Sequence, residues 1–127
     1  QVEGKKRFAL AEDLTALQEG CPIGEELHLL GPHDPYLDLR DREVILPNRA
    51  LHRTVWRTVG NPGVILRKGL VVGIWTTKTR QRSLGLSLQL WETFTPGQRQ
   101  ALQTQGEAYA AFRGLTLKEC KMEYLVP

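Results

Sequence analysis

Eight basic side chains and no carboxylate lie between Val44 and Trp91, a pattern whose natural chemistry is the capture of phosphate polyanions. The chain of 127 residues has a formal net charge of only +3, yet this stretch alone carries +8 and the other residues sum to −5. A localised positive field attracts nucleic acid, whereas a merely solvated basic face is the alternative that stays open. The eight residues are Arg49, Arg53, Arg57, Arg67, Lys68, Lys78, Arg80 and Arg82.

Groups suited to catalysis or metal binding are few and isolated. Asp34 and Asp38 form an acid–base pair only if their turn brings them together, and an Asp between prolines more often stabilises its own turn. Cys21 and Cys120 lie 99 positions apart, and no Cys or His spacing resembles a zinc site. We therefore predict no catalytic residue, no metal and no cofactor. Two isolated cysteines are typical of a reduced, cytoplasmic protein, and whether they pair stays open.

Common enzyme motifs are absent from the sequence, which has no glycine-rich phosphate loop, no Gly-x-Ser-x-Gly and no His-Glu-x-x-His. Two Gln-x-Gln triplets, Gln98–Gln100 and Gln103–Gln105, fall on a predicted helix. We interpret both as solvated helix surface, because glutamine is a good helix former without a titrating group.

Length and composition are those of one globular domain, with 41% hydrophobic and 24% charged residues. No apolar run approaches the roughly 20 residues that span a bilayer, and the basic start Lys5–Arg7 is not followed by the apolar core of a secretory signal. Because the sequence does not begin with Met, we expect residues 1–127 to be a single domain of a longer protein.

The N-terminal elements are predicted to be short. Apolar spacing and stop residues indicate a strand at Lys5–Leu10, a helix of about nine residues within Ala11–Gly20 and a strand at Glu25–Leu30. Prolines at 32 and 35 favour a rigid turn next. The charged residues that follow either pair locally, which we favour, or leave two arginines facing a phosphate; they are Asp38, Arg40, Asp41 and Arg42.

The eight basic residues fall on two predicted elements. If Asn48 caps a short helix within Pro47–Val59, a row of arginines at 49, 53 and 57 lies along one side, either on a phosphate backbone or simply in water. Lys68–Gly69 is the tight turn of a β-hairpin whose second strand carries Trp75, more typical of a core residue than of a base-stacking one. Beyond it, alternate positions share one face while the strand continues: Lys78, Arg80 and Arg82.

The C-terminal elements complete an α+β fold: a small β-rich domain with an antiparallel hairpin or meander and two or three helices. Ser83–Leu90 alternates small or polar residues with leucine, which indicates a strand with one buried face. Thr95, Pro96 and Gln98 start a helix that runs to Arg113, and Lys121–Val126 is a candidate closing strand. The residues predicted to be buried by the helix are Leu102, Ala108, Tyr109 and Phe112.

Three segments together resemble a known family. Leu29–Leu37 contains an Asp-Pro-Tyr turn, Arg40–Arg42 is Arg-Asp-Arg, and the hairpin Gly63–Trp75 ends in Val-Val-Gly-Ile-Trp. This order is similar to the C-terminal part of the bacterial winged-helix DNA-binding family that includes the AlkZ-type DNA glycosylases, over about Lys5 to Gly114. The resemblance implies a winged-helix-associated DNA-repair protein in which tandem winged-helix units and a β-rich C-terminal portion hold duplex DNA.

The same resemblance implies that catalysis belongs elsewhere. Related glycosylases use a Gln-x-Gln or Gln-x-Asp motif of their N-terminal part, which this chain lacks, so the triplets on the predicted helix receive no catalytic role. The expected partners are duplex DNA and the N-terminal winged-helix units of the same parent chain. A non-catalytic structural or protein-interaction module with a basic face, and a small enzyme using Asp34, stay open as alternatives. The predicted DNA-binding residues are Arg67, Lys68, Lys78, Arg80, Arg82, Arg53, Arg57, Arg40 and Arg42.

Overall fold

A five-stranded sheet forms the centre of the computed structural model, which describes residues 4–20, 24 and 26–125. The strands lie in sequence order; the first four form an antiparallel meander, and the fifth pairs parallel to the fourth. This arrangement confirms the predicted α+β class. The strands are β1 (Leu27–Leu30), β2 (Gly63–Arg67), β3 (Leu70–Arg80), β4 (Ser83–Leu90) and β5 (Thr116–Tyr124).

The described residues also form one long helix and three short ones: α1 (Leu14–Glu19), α2 (Arg42–Ile45), α3 (His52–Val55) and α4 (Pro96–Phe112). Single 3-10 turns at Ala11–Asp13, Pro35–Asp38 and Arg49–Leu51 accompany them. Within the described ranges, no helix is long and apolar enough to cross a membrane.

The sheet has a packed layer on each face. On one face α4 covers a core that includes Ile65, Trp75 and three leucines of β4, at positions 86, 88 and 90. On the other face α2 and α3 supply Ile45 and Val55, which pack against apolar residues of β2 and β3. An irregularity in the pairing of β2 with β3, at Val72, interrupts the alternation of β3, so that Val71 and Ile74 lie on one face and Val72 and Trp75 on the other.

The covering layers do not extend along the whole of β3. The pairing with β2 ends at Gly63 and Trp75, so the last five residues of β3, Thr76–Arg80, pair with β4 alone. We call this segment, together with Ser83–Ser87 of β4, the overhang. Its α4 face is apolar, because Leu84 and Leu86 are buried there, while Lys78 and Arg80 of the opposite face are exposed.

Several local predictions are confirmed. Asn48 caps the turn before α3 through its side-chain oxygen, which accepts from the Ala50 N–H at 3.1 Å. The hairpin turn lies at Lys68–Gly69. Both residues have a positive φ, of 53° and 75°, which the common two-residue hairpin turn requires. Thr95 and Gln98 form the predicted capping box, with Pro96 in the first turn of α4. The leucine row of β4 and the core position of Trp75 are also confirmed.

Two N-terminal predictions have different outcomes. The strand at Lys5–Leu10 is wrong, because the segment joins no sheet strand, is exposed throughout and has only an isolated bridge at Lys5. The nine-residue helix is confirmed as the turn Ala11–Asp13 followed by α1. The predicted strand at Glu25–Leu30 exists as β1, and Glu25 itself lies outside the described residues, as does Cys21.

The buried stripe of α4 differs from the prediction. Leu102 is buried as expected, but Ala108 is exposed and Phe112 is 88% exposed. Gly106 explains the difference, because a Cβ there would lie 2.6 Å from Leu86 Cδ2, so the helix approaches β4 along the row of Leu102, Gly106 and Ala110. The closing strand starts at Thr116, five residues earlier than predicted, and Val126 lies beyond the described residues.

Candidate nucleic-acid interface

The predicted DNA-binding residues of the hairpin lie at opposite ends of β3. This strand has 11 residues and so extends about 33 Å at the usual rise per residue. Lys68 lies in the turn before it and Arg82 in the turn after it. The structure therefore does not bring the five basic residues of the hairpin and following strand onto one surface.

At the first end, Arg67 is already engaged within the protein. Its guanidinium donates to the Glu92 carboxylate and to the Thr93 carbonyl oxygen at 3.2 Å, and it lies 4.8 Å from the centre of the Phe94 ring. Only 20% of its side chain is exposed. The charge of Arg67 is thus compensated by a carboxylate, and its main contacts are structural.

The neighbouring turn is fixed as well. Tyr36 donates its hydroxyl proton to the Gly69 carbonyl oxygen at 2.8 Å, which ties the turn to the segment before α2. Lys68 is exposed and lines a shallow depression of about 300 Å³ with Arg67, Glu92 and Gln98. This end of β3 presents mixed charges rather than a continuous basic surface.

At the second end, the overhang carries exposed cations. Lys78 and Arg80 lie on the same face of β3, as the alternation predicts, and Arg82 follows in the turn to β4. Among the residues the structure describes, none of these three forms an ion pair. Lys118 of β5 lines the same depression, of about 570 Å³, as Lys78 and Arg80. We call these four residues, Lys78, Arg80, Arg82 and Lys118, the basic tip.

Lys118 was missed from the sequence because the strand that carries it was predicted to start later. It reaches the tip through the parallel pairing of β5 with β4, which is irregular between Leu84 and Gly85. One acid lies nearby: Glu119 lines the same depression, and its carboxylate is 3.4 Å from the Lys121 ammonium. The basic tip remains net positive, since it holds four cations and the charge of Glu119 is compensated by Lys121.

The arginines of the helical row are dispersed. Arg49 lies 3.5 Å from the Glu43 carboxylate, and Arg53 is exposed on α3. Arg57 lies beyond the end of α3, where its Nε donates to the Thr54 carbonyl oxygen at 3.1 Å. The row predicted for one helix face is therefore shorter than expected, because the helix ends at Val55.

The charged turn does not pair locally as predicted. Asp41 instead accepts hydrogen bonds from Lys5 at 2.6 Å and from Arg7, two residues far away in sequence. These partners hold the pKa of Asp41 below its usual value, with the Lys5 hydrogen bond as the largest cause. Arg42 lies over the Trp56 ring at 4.7 Å, and Arg40 is exposed.

The candidate catalytic groups have structural roles. The Asp34 carboxylate caps the turn Pro35–Asp38 by accepting from the Tyr36 N–H at 3.0 Å, as the turn interpretation predicts. His52 Nε2 lies 2.7 Å from the Leu46 carbonyl oxygen. Over the described part of the chain, no group of three His, Cys, Asp or Glu residues could hold a metal ion.

One glutamine contradicts its surface interpretation. Gln105 on α4 accepts from the Leu29 N–H at 2.9 Å and donates to the Leu27 carbonyl oxygen. β1 is an edge strand, so this side-chain amide satisfies backbone groups that would otherwise lie at an open edge. Gln105 is a structural tie between helix and sheet, while Gln98 serves in the capping box and Gln103 bonds Glu107 at 3.3 Å.

Comparison with known proteins confirms the AlkZ-like part of the resemblance. A family model described as DNA glycosylase AlkZ-like matches residues 1–112. Among solved structures, the Streptomyces sahachiroi DNA glycosylase AlkZ is similar with a TM-score of 0.67 and 25% sequence identity over 98% of this chain. The match covers 32% of that protein, so the chain spans about a third of its length. No curated protein matches.

Proposed function

The chain belongs to the AlkZ-like DNA glycosylase family, and on this premise we propose that it binds duplex DNA by placing the basic tip against backbone phosphates. Residues 1–127 act as one domain, the C-terminal part of a longer bacterial, cytoplasmic winged-helix protein of DNA repair. In this proposal the domain supplies binding and orientation, while the catalytic groups belong to the N-terminal winged-helix units of the parent chain.

The observation that carries the proposal is the set of uncompensated cations on the overhang. Lys78, Arg80 and Arg82 are exposed at the end of a hairpin whose outer part has no β2 beside it. Lysine and arginine contacts to phosphate position a protein on DNA without reading its sequence. A projecting cationic hairpin offers such contacts to a phosphate backbone without rearrangement of the core.

The other predicted DNA-binding residues differ in how available they are for contact with a phosphate. Arg67 would have to leave Glu92 and the Phe94 ring before it could contact a phosphate, so we assign it a structural role. Arg40 and Arg53 are exposed and serve as secondary contacts, whereas Arg42 and Arg57 already contact Trp56 and Thr54. Lys68 remains a predicted contact at the other end of β3.

The test is the salt dependence of binding to a labelled duplex, measured by fluorescence anisotropy. The variant K78Q/R80Q/R82Q removes three cations, so the slope of log affinity against log salt should become shallower by about 2.7, at about 0.9 per phosphate contact. The matched control K6Q/R49Q/R99Q removes the same charge elsewhere on the chain and should change the slope by less than one unit. Equal effects of the two variants, or no duplex binding at low salt, would refute the proposal.

An alternative function is supported by a separate observation. Phe8, Leu10 and Leu17 of the N-terminal segment are 91%, 64% and 63% exposed, and exposed apolar side chains can serve as contacts for a protein partner. Such a surface favours a structural or protein-interaction module. Recovery of a protein partner that requires these three side chains, without salt-dependent binding to DNA, would favour this alternative.

A further inference from the structure

The outer edge of β5 is a surface that none of the groups described so far uses. β5 is the last strand of the sheet, so in the described part of the chain only β4 lies beside it. It has nine residues and contains no proline. A long strand edge of this kind presents a row of unpaired backbone N–H and C=O groups, which can pair with another strand.

The part of β5 best suited to such pairing is its C-terminal half. The pairing with β4 is irregular near the start of β5 and regular over Glu119–Tyr124. Leu125 continues it, because its N–H donates to the Leu90 carbonyl oxygen at 2.9 Å. Backbone groups alternate in direction along a strand, so every second residue directs its N–H and C=O groups to the open edge. These residues are Cys120, Met122 and Tyr124.

The two faces of this stretch differ in chemistry. Cys120 and Met122 are half-buried against the core that α4 covers. Tyr124 shares their face by alternation, yet it is 50% exposed. An apolar row and a charged row therefore run side by side along the open edge. The exposed residues of the charged row are Glu119, Lys121 and Glu123.

A second copy of the chain fits this edge in one antiparallel register. With a two-fold axis at Met122, the two Met122 side chains meet, and Cys120 lies opposite Tyr124 of the second copy. On the other face, Lys121 lies opposite Glu123 of the second copy, and symmetry repeats this pair. Apolar side chains thus face apolar ones and opposite charges face each other, and cross-strand pairs of both kinds stabilise a sheet.

Neighbouring registers are less suitable. An axis at Lys121 or at Glu123 would place like charges directly opposite each other, which destabilises paired strands. An axis at Cys120 would bring opposite charges together, but it would also set Met122 against Lys118 and include the irregular start of β5. The axis at Met122 combines charge complementarity with the regular part of the strand.

We propose that two copies of the chain associate through their β5 edges, paired antiparallel about Met122, so that their two sheets become continuous. An interface formed by one strand from each copy is small, so the dimer should be weak and should depend on protein concentration. The paired stretch, residues 119–125, includes no residue of the basic tip, so this inference does not depend on the proposed DNA binding.

The experiment is sedimentation velocity of the chain over a range of protein concentrations at low salt, where charge pairs are least screened. The wild-type chain should change from monomer to dimer as its concentration rises. K121E and E123K each place like charges opposite each other twice, so each variant alone should weaken the dimer at least about tenfold. An equimolar mixture of the two variants restores opposite charges at both pairs and should form a mixed dimer about as strong as the wild-type one.

The matched control is E119K, which makes the same change as E123K on the same face of β5. Glu119 lies opposite Leu125 of the second copy, so E119K should weaken the dimer less than about threefold. All three substitutions lie at exposed positions, and urea unfolding verifies that each variant is folded.

Three results would overturn the inference. Charged side chains on an edge strand also serve to keep it unpaired, and a wild-type chain that is monomeric at every concentration would assign them that role. A dimer that E119K weakens as much as E123K does would contradict the register. A mixture of K121E and E123K that stays monomeric would show that these charges do not face each other.

Discussion

The two ends of β3 carry similar sequences of basic residues but have opposite surroundings. At the end of β3 next to its turn with β2, which we call the β2 end, Arg67 is held by Glu92, Thr93 and Phe94, and both faces of the sheet are covered. At the other end, next to the turn with β4 and called the β4 end, Lys78 and Arg80 project from the overhang, which has one uncovered face. In the proposed DNA complex, a cation without an internal carboxylate is the more available one for a phosphate contact, and the comparison identifies the end of β3 that carries such cations.

The difference originates at the borders of the acid-free stretch. Its flanking acids are Glu43 and Glu92, and each reaches back to a basic residue inside it: Glu43 to Arg49 at 3.5 Å, and Glu92 to Arg67. A count of charge within the stretch therefore overstates the exposed positive field. Neither border acid forms an ion pair with Lys78 or Arg80 of the overhang.

The largest expected effect contrasts two glycines of the two regions. In the covered half, a Cβ at Gly73 would lie 2.4 Å from the Gln89 carbonyl oxygen, so G73A should destabilise the protein by about 3 kcal/mol or more. In the overhang, the nearest atom to a Cβ at Gly85 is 3.7 Å away, and G85A should change stability by less than about 0.5 kcal/mol. Urea unfolding measures both; equal effects would show that the overhang is as tightly enclosed as the rest.

The next contrast replaces one arginine with glutamine at each end of β3. R67Q removes a charge-assisted hydrogen bond and a ring contact, so it should reduce the free energy of unfolding by about 1 kcal/mol and leave DNA affinity unchanged. R80Q should do the reverse: stability stays within about 0.5 kcal/mol, and the salt slope of duplex binding becomes shallower by about 0.9. A larger loss of duplex affinity in R67Q than in R80Q would contradict the assignment of DNA binding to the β4 end.

A smaller effect is expected from removing the compensating acid. E92Q leaves Arg67 without a carboxylate, so the β2 end should gain positive potential and the salt slope should steepen by at most about 0.9. Matched against it, E43Q releases Arg49, whose side chain is already 79% exposed. Unchanged duplex binding in E92Q would mean that Arg67 keeps its position against Phe94 even without its carboxylate partner.

The smallest effect concerns Cys120, on the packed face beside the overhang. Burial, with a contribution from Glu107, raises the pKa of its thiol above 9.0, so between 9.0 and the folded value only the unfolded chain loses this proton. Stability from the neutral thiol is complete below pH 9.0 and is lost as the pH rises through the folded pKa. The stability difference between wild type and C120A should therefore shrink above pH 9; a constant difference would indicate that this face is wet.

Elements governed by local rules were predictable from the sequence. The hairpin turn at Lys68–Gly69, the Asn48 cap and the Thr95 capping box each depend on residues within a few positions of one another. The α+β class followed from these elements together. For the same reason, the basic residues of the overhang could be named as candidates before the sheet was known.

Contacts that the sheet creates could not be predicted. Glu92 lies 25 positions from Arg67, Asp41 lies 36 from Lys5, and Gln105 lies 76 from Leu29, so no local pattern connects them. The length of β3 relative to β2 also depends on register, and that difference is what exposes one end and covers the other. Thus the sequence indicates which residues are basic, and the fold decides which remain available.

The most direct test of the tip as the DNA-binding surface is an amide ¹H–¹⁵N NMR titration of the chain with a fully paired duplex at low salt. The account predicts the largest shift changes at residues 76–85 and 116–119, and small ones at 66–70, where Arg67 is held by Glu92. The largest changes at 66–70, or along the helical arginines at 49–57, would contradict it.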